Sequence, residues 1–314
     1  MGEEQESALD FELVAEGLEF PEGPIACPDG SVVLVEIAAG RLTRVLADGS
    51  KEVVAELGGG PNGAAFGPDG RIYVCNNGGF EWRRVDGRLY PGHQAVDYVT
   101  GSIRAVDPAT GEVELLYTEC ELNPLRGPND IVFDAAGGFW FTDHGKTRTR
   151  ERDRTGLFYA LPDGSSIREM AFPLNAPNGV GLSPEGDRVY VAETETGRVF
   201  YWNLVGPGEI DPHPRSPHGG HFLCGLPGLQ MFDSLAVEQS GNVCVATLIR
   251  GGVTVLSPPG EVLEQPRTDD PLTTNLCFGG EDLRTAYVTL SSTGRLVKAR
   301  WPRPGLGLHF GPRS

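Results

Sequence analysis

Apolar positions in this chain come in short runs, alternating with polar residues or continuous over about five residues, and turn formers close each run. "SVVLVEI", "RIYVCN", "GGFWFTD", "RVYVAET", "NVCVATL" and "TAYVTLS" all read as strands, and no stretch carries a convincing helical period. Each run is preceded by a shorter strand that opens on a polar turn. The six units are "PEGPIACPDGSVVLVE", "PNGAAFGPDGRIYVCN", "PNDIVFDAAGGFWFTD", "PNGVGLSPEGDRVYVAE", "FDSLAVEQSGNVCVAT" and "TNLCFGGEDLRTAYVT". A third strand follows each one, as in "GRLTRVL" or "GRVFYWNL". Three to four strands per unit of about 50 residues, repeated around a ring, is the blade pattern of a β-propeller.

The fold expected is therefore all-β: one six-bladed propeller over residues 11–302. Residues 1–10 read as a disordered acidic N-terminus and residues 303–314 as a C-terminal tail. "FELVAEGL" (Phe11 to Leu18) has no hairpin partner of its own and is expected to close the ring as the outer strand of the sixth blade. The second unit carries the insertion "GGFEWRRVDGRLYPGHQAVDYVT", read as a loop over one face. "DPHPRSPHGGHFLCGLPG" (Asp211 to Gly228) reads as a lid over the channel.

The first strand of each blade lines the central channel, so six equivalent residues at six strand starts form a ring. They are Glu22, Asn62, Asn129, Asn178, Asp233 and Asn275, and every one has a side-chain oxygen. Pro-Asn-Gly taken singly is an ordinary turn; shared register across six repeats is what argues for a site. Two carboxylates crowded round an axis repel unless a cation lies between them. All-oxygen ligation suits a hard divalent ion, Ca²⁺ first and then Mg²⁺ or Mn²⁺, with Zn²⁺ less natural because no His or Cys belongs to the set. Asn62 and Asn275 are candidates for substrate contact, as is Asn77 beyond the second blade.

Composition narrows the choice of chemistry. Gly (44) and Pro (25) are spread along the chain as punctuation. A net charge of −17 without a basic cluster argues against nucleic acid. The acidic start lacks the apolar core of a signal peptide, and no apolar run reaches the ~18 residues of a membrane helix. A cytoplasmic protein, monomeric or a small homo-oligomer, is expected. The six cysteines contain no C-x-x-C pair and read as buried free thiols. "GGGPNG" is followed by a strand rather than a helix, so it is no dinucleotide fingerprint. Serine-hydrolase elbow, zinc-protease and complete EF-hand patterns are missing. Metal-assisted hydrolysis of a small molecule is what remains.

"FPEGP", "PNDIVFDAAGGFWFTD", "APNGVGLSPEGDRVYVAET" and "TTNLCFGGEDLRTAYVT" together resemble the SMP-30/gluconolactonase/luciferin-regenerating-enzyme family over roughly residues 17 to 300. The resemblance implies a six-bladed propeller with one divalent cation in its channel, and hydrolysis of sugar-acid lactones. The family's metal-binding Glu, two Asn and Asp fall on Glu22, Asn129, Asn178 and Asp233. Asp-Gly, common in the fifth unit, is Asp233-Ser234 here. A second, structural calcium found in related propellers would need side chains that Ala236 and Cys277 do not supply, so one metal is expected. A substrate-binding Arg of some members has Gly127 in its place, with Arg126 one step earlier, which points to a lactone with fewer hydroxyls.

The expected reaction is opening of a lactone, with Asp233 as the first candidate for general base and His144, in "FTDHG", at the same mouth. Trp82 and Phe222 are expected near that mouth as specificity residues. A phosphotriester hydrolase with the same oxygen site, and a metal-pinned propeller that binds without catalysis, are the competing readings.

Overall fold

The computed structural model describes residues 9–311, and these form strands and turns only. Residues 1–8, most of the expected disordered N-terminus, lie outside the described residues, as do 312–314.

Six antiparallel sheets follow one another round a ring. Their inner strands are Pro21–Ala26, Pro61–Phe66, Pro128–Phe133, Pro177–Leu182, Met231–Val237 and Thr273–Gly279. Each lies against the next, and the sixth against the first. The second strands are Val32–Glu36, Ile72–Asn76, Phe139–Asp143, Arg188–Glu193, Val243–Leu248 and Thr285–Leu290. Glu12–Ala15 completes the sixth blade by pairing with Arg295–Arg300, Leu13 opposite Val297, so the chain's beginning and end share one sheet. That is the closure read from "FELVAEGL".

The continuous apolar runs are explained by the packing. The buried hydrophobic residues form six clusters, each wedged between two neighbouring blades. Successive side chains of a strand face opposite sides. Phe139 and Phe141 therefore pack towards the second blade, with Tyr73 and Phe133, while Trp140 between them packs towards the fourth, with Val180 and Trp202. A strand buried on both faces has no place for alternation. All six cysteines are free thiols, five buried and Cys277 half-buried.

The insertion after Asn77 is a hairpin, Phe80–Val85 with Arg88–Gln94. It leans across the face where the inner strands begin. Trp82 packs at a tilt against Phe20, ring centres 5.0 Å apart, and Leu89 donates its backbone N–H to the Ser292 carbonyl at 2.8 Å. The hairpin thus ties the second blade to the first and sixth.

The opposite face is closed by the tail. Arg303 pairs with the fully buried Glu238, which also accepts from Trp301 Nε1 at 2.7 Å. Leu306 then pairs with Val237, and Phe310 meets Phe133 edge-on at 5.8 Å. Between this tail and the inner strands lies a cavity of about 480 Å³, lined by Ile25, Ile131, Leu182, Leu235, Phe278 and Leu306 among others.

Candidate functional site

Every inner strand breaks its pairing register just after its first or second residue. The breaks fall at Glu22/Ile25, Pro61/Ala64, Pro128/Ile131, Pro177/Val180, Phe232/Leu235 and Thr273/Asn275. A bulge re-aims the side chain that it carries, and each break includes one of the six ring positions. The turn glycine has a packing reason too. A Cβ on Gly23 would lie 2.6 Å from the Asn62 carbonyl, and one on Gly179 equally close to Leu235 N. The third blade replaces this glycine with Asp130. Its carboxylate accepts from Ile131 N at 3.0 Å and from Val180 N at 3.2 Å.

Three carboxylates consequently meet in the channel. Glu22 is buried and accepts from Gly23 N at 2.6 Å and from Asn275 Nδ2 at 2.7 Å. Burial nevertheless raises its pKa to about 7. Asp130 is raised to about 8, by burial first and then by the charge of Glu22. Asp233 is pushed well above the ordinary carboxylate range by burial, with Glu22 and Asp130 adding to it. Asp130 was missed at the sequence level. Its signal was the Asp standing where the first, second and fourth units have Gly.

The amides supply carbonyl oxygens. Asn178 Nδ2 donates to Thr194 Oγ1 at 3.1 Å, which leaves Oδ1 facing Ser234 Oγ at 3.3 Å. Asn129 Oδ1 is buried and finds no partner among the described residues. Buried polar atoms are nearly always satisfied, so an acceptor left bare beside repelling carboxylates marks a place for a positive group. Among the described residues no cluster of three or more His, Cys, Asp or Glu forms a metal site; the donor set here is mixed carboxylate and amide.

The remaining predicted residues divide. Asn62 is buried in the ring. Asn275 is not free for substrate as expected: its Nδ2 holds Glu22 and its Oδ1 accepts from Leu276 N at 2.7 Å. His144 donates its backbone N–H to the Gly127 carbonyl at 2.8 Å, which sets it on the rim of the mouth. Its ring hydrogen-bonds the Pro177 carbonyl, Nδ1 is left without a partner, and burial holds its pKa well below the usual value. Asn77 occupies the equivalent rim place in the second blade, through Asn77 N to Gly60 O at 2.7 Å. Arg126 is exposed, with its charge beside Asp153 and Tyr98.

Two expectations are overturned. The 211–228 segment is not a lid: His221–Gly225 pairs with Arg198–Gly206 on the outer side of the fourth blade, where His221 stacks on Tyr201 at 4.8 Å. Aromatic and histidine side chains in this Pro/Gly-rich stretch serve that edge. Phe222 faces Phe200 there and is no mouth residue. Trp82 stays on the hairpin that crosses the mouth, where its ring packs against Phe20 and Phe80.

A repeated device fixes the loops ahead of the inner strands. Glu36, Asn76, Asp143 and Glu193, the last residues of four second strands, accept the backbone N–H groups of Glu19, Gly60, Gly127 and Asn175. The ring therefore stands on a rigid collar.

Residues 20–292 match the family described as SMP-30/Gluconolactonase/LRE-like region. A gluconolactonase of Zymomonas mobilis is 25% identical over 308 residues, covering 90% of this chain and 79% of that protein. A lactonase of Staphylococcus haemolyticus is 29% identical over 260 residues, covering 81% and 72%. Among solved structures, a gluconolactonase from Xanthomonas campestris superposes with a TM-score of 0.74 at 20% identity, covering 95% and 91%. A calcium-binding protein, regucalcin, from Agrobacterium tumefaciens gives 0.74 at 17%, covering 96% and 98%. These two likenesses establish the shared propeller.

Proposed function

The chain belongs to the SMP-30/gluconolactonase/LRE-like family, and we propose that it is a lactonase whose reaction takes place at the ring of Glu22, Asn129, Asn178 and Asp233. The observation that carries this reading is the bare Asn129 Oδ1 set among carboxylates that raise one another's pKa. Those four side chains fit one hard divalent cation, Ca²⁺ before Mg²⁺, Mn²⁺ or Zn²⁺: they present oxygen only, two of the donors are anionic, and the charge repulsion is what such an ion relieves. When bound there, a divalent ion supplies Lewis acidity towards a carbonyl oxygen. The relatives named gluconolactonase and lactonase support the choice of a lactone as substrate.

The chain's own residues supply the rest. Asp233 is less enclosed than Glu22. It accepts one proton from the attacking water as the hydroxide oxygen bonds to the carbonyl carbon. The ring C–O bond then breaks, and the proton passes to the departing alkoxide, so that water plus lactone gives one hydroxy acid. Asn275 keeps Glu22 in place, and Thr194 keeps Asn178 turned with its carbonyl towards the channel. His144 presents an unprotonated nitrogen at the mouth, which accepts a substrate hydroxyl or a water.

Rates on γ- and δ-lactones and on a fluorophosphate, with and without chelator, test the reading. Chelator-sensitive lactone opening is expected. A protein that opens no lactone when loaded with Ca²⁺, Mg²⁺, Mn²⁺ or Zn²⁺, or that prefers the fluorophosphate, overturns it.

A further inference from the structure

Lys146 is a lysine with no surface at all. It leaves the third blade two residues after His144 and reaches back into the second. There Nζ donates to Asn77 Oδ1 at 3.0 Å and to the Gly79 carbonyl at 2.8 Å. The ammonium also stands 4.1 Å from the centre of the Phe80 ring and 5.5 Å from that of Tyr98. Gly79 and Phe80 form the root of the hairpin that crosses the mouth, and Tyr98 closes the insertion. One cation thus gathers both ends of the insertion and one rim side chain. A charge in such a place is costly, and burial lowers the lysine's pKa to about 7.

The cost has an evident return at Asn77. Its Oδ1 accepts twice, from Lys146 Nζ and from Gly79 N at 2.8 Å. Two donors on one oxygen settle which end of the carboxamide is which. Nδ2 must then be the other end, and it is buried with no acceptor among the described residues. An unpaired buried donor costs roughly 1–3 kcal/mol, and a ligand oxygen at the rim would satisfy it.

Resting on the lactonase reading, we infer that Lys146 is a positioning residue: it locks the Asn77 carboxamide so that Nδ2 donates to an oxygen of the bound lactone, and it pins the hairpin over the mouth. The substrate class this favours carries an acceptor beside the reacting carbonyl, such as the ring oxygen of the lactone itself. Asn77 touches the substrate; Lys146 acts through it.

The test uses Lys146→Met, Asn77→Ala and the double variant in the Ca²⁺-loaded full chain. For a simple δ-lactone kcat/KM should fall about tenfold in each, with most of the loss in kcat, because the ring oxygen gains negative charge as its bond to the carbonyl carbon breaks. The double variant should lose less than the two single losses combined, because the contact through Asn77 is shared by both, and only the hold on the Gly79 carbonyl and the Phe80 ring is lost in addition. In the wild type kcat/KM should lose a part of its value as pH passes through neutrality and the ammonium loses its proton, a loss that Lys146→Met lacks. Fully additive losses, or an unchanged kcat/KM in folded Lys146→Met, overturn the inference. Wild-type protein that opens no lactone sinks the lactonase reading instead. Hydrogen exchange then decides the positioning role: residues 78–100 should exchange faster in Lys146→Met than in wild type, and equal protection overturns it.

Discussion

Removing the charge of Glu22 should stabilise the metal-free protein and destabilise the metal-loaded one. The folded pKa of Glu22 is raised from 4.5 to about 7 by burial. A carboxylate raised in this way contributes its full stability below the unfolded value and loses it as pH rises through the folded one. The whole displacement is worth roughly 3 kcal/mol once pH exceeds both values, and most of it disappears between pH 5 and pH 8. A chain of this length unfolds with an entropy of about 0.65 kcal/mol/K, so the loss amounts to about 4 °C in Tm. Asp130, raised from 3.8 to about 8, adds a loss of the same sign over a wider window that extends to about pH 8. In chelator, then, wild-type Tm should fall from pH 5 to pH 8, and Glu22→Gln should remove much of that slope because a neutral amide never has to charge. Gln keeps an oxygen for Asn275 Nδ2 and Gly23 N, so the comparison isolates the charge. Saturating Ca²⁺ should reverse the order at pH 8, raising wild-type Tm by about 4 °C at a hundred times Kd and Glu22→Gln by far less. Differential scanning fluorimetry at the two pH values, with chelator and with Ca²⁺, measures all four quantities. A Tm difference between the two proteins that does not change with pH, or an equal Ca²⁺ shift in both, would refute the idea that carboxylate repulsion is what the ring stores.

Asp233→Asn should abolish turnover yet keep part of the Ca²⁺-induced rise in Tm, because the amide retains an oxygen but accepts no proton; near-normal kcat in the loaded variant removes Asp233 as base. Truncation after Arg303 should open the far end of the channel, so that a thiol reagent reaches Cys27 and Cys277, which line the cavity there. Peptide-mapped labelling reads this, and a rate equal to that of the full chain would show that the tail closes nothing.

The architecture was legible because each blade repeats the same demand. A strand sandwiched between two neighbours must be apolar on both faces, and "GGFWFTD" or "SVVLVEI" can satisfy nothing else. The ring was legible for a related reason: a polar residue in the same register six times over is costly in any place other than a channel. What escaped was decided by single contacts with no periodic signature. Asn275 looked like its ring neighbours, but its carboxamide is consumed by Glu22 and Leu276. Asp130 hid as a turn residue until the bulge aimed it inward. The Pro/Gly spacing of 211–228 suggested a lid, whereas Trp202 and Tyr201 claim its histidines for the edge of the fourth blade.

The rim decides which lactone is opened, since the ring requires only a carbonyl oxygen. Glucono-δ-lactone brings four hydroxyls, and each hydroxyl buried without a partner costs roughly 1–3 kcal/mol. The rim residue of the first blade is Ile37, buried in the core, and the fifth blade has the exposed Ile249. Thr194 is committed to Asn178 and Ser291 to Thr274 and the Pro21 carbonyl. Arg126 lies beside Asp153, and Gly127 offers no side chain. Among the described residues, Asn77 Nδ2 and His144 Nδ1 are the buried polar rim atoms left without partners. One donor and one acceptor match a ring oxygen and a single hydroxyl better than four hydroxyls. A simple γ- or δ-lactone should therefore show the higher kcat/KM. A tenfold or greater preference for glucono-δ-lactone, ~1.4 kcal/mol of transition-state discrimination, would mean that hairpin groups such as Gln94 or Tyr90 turn into the mouth when substrate binds.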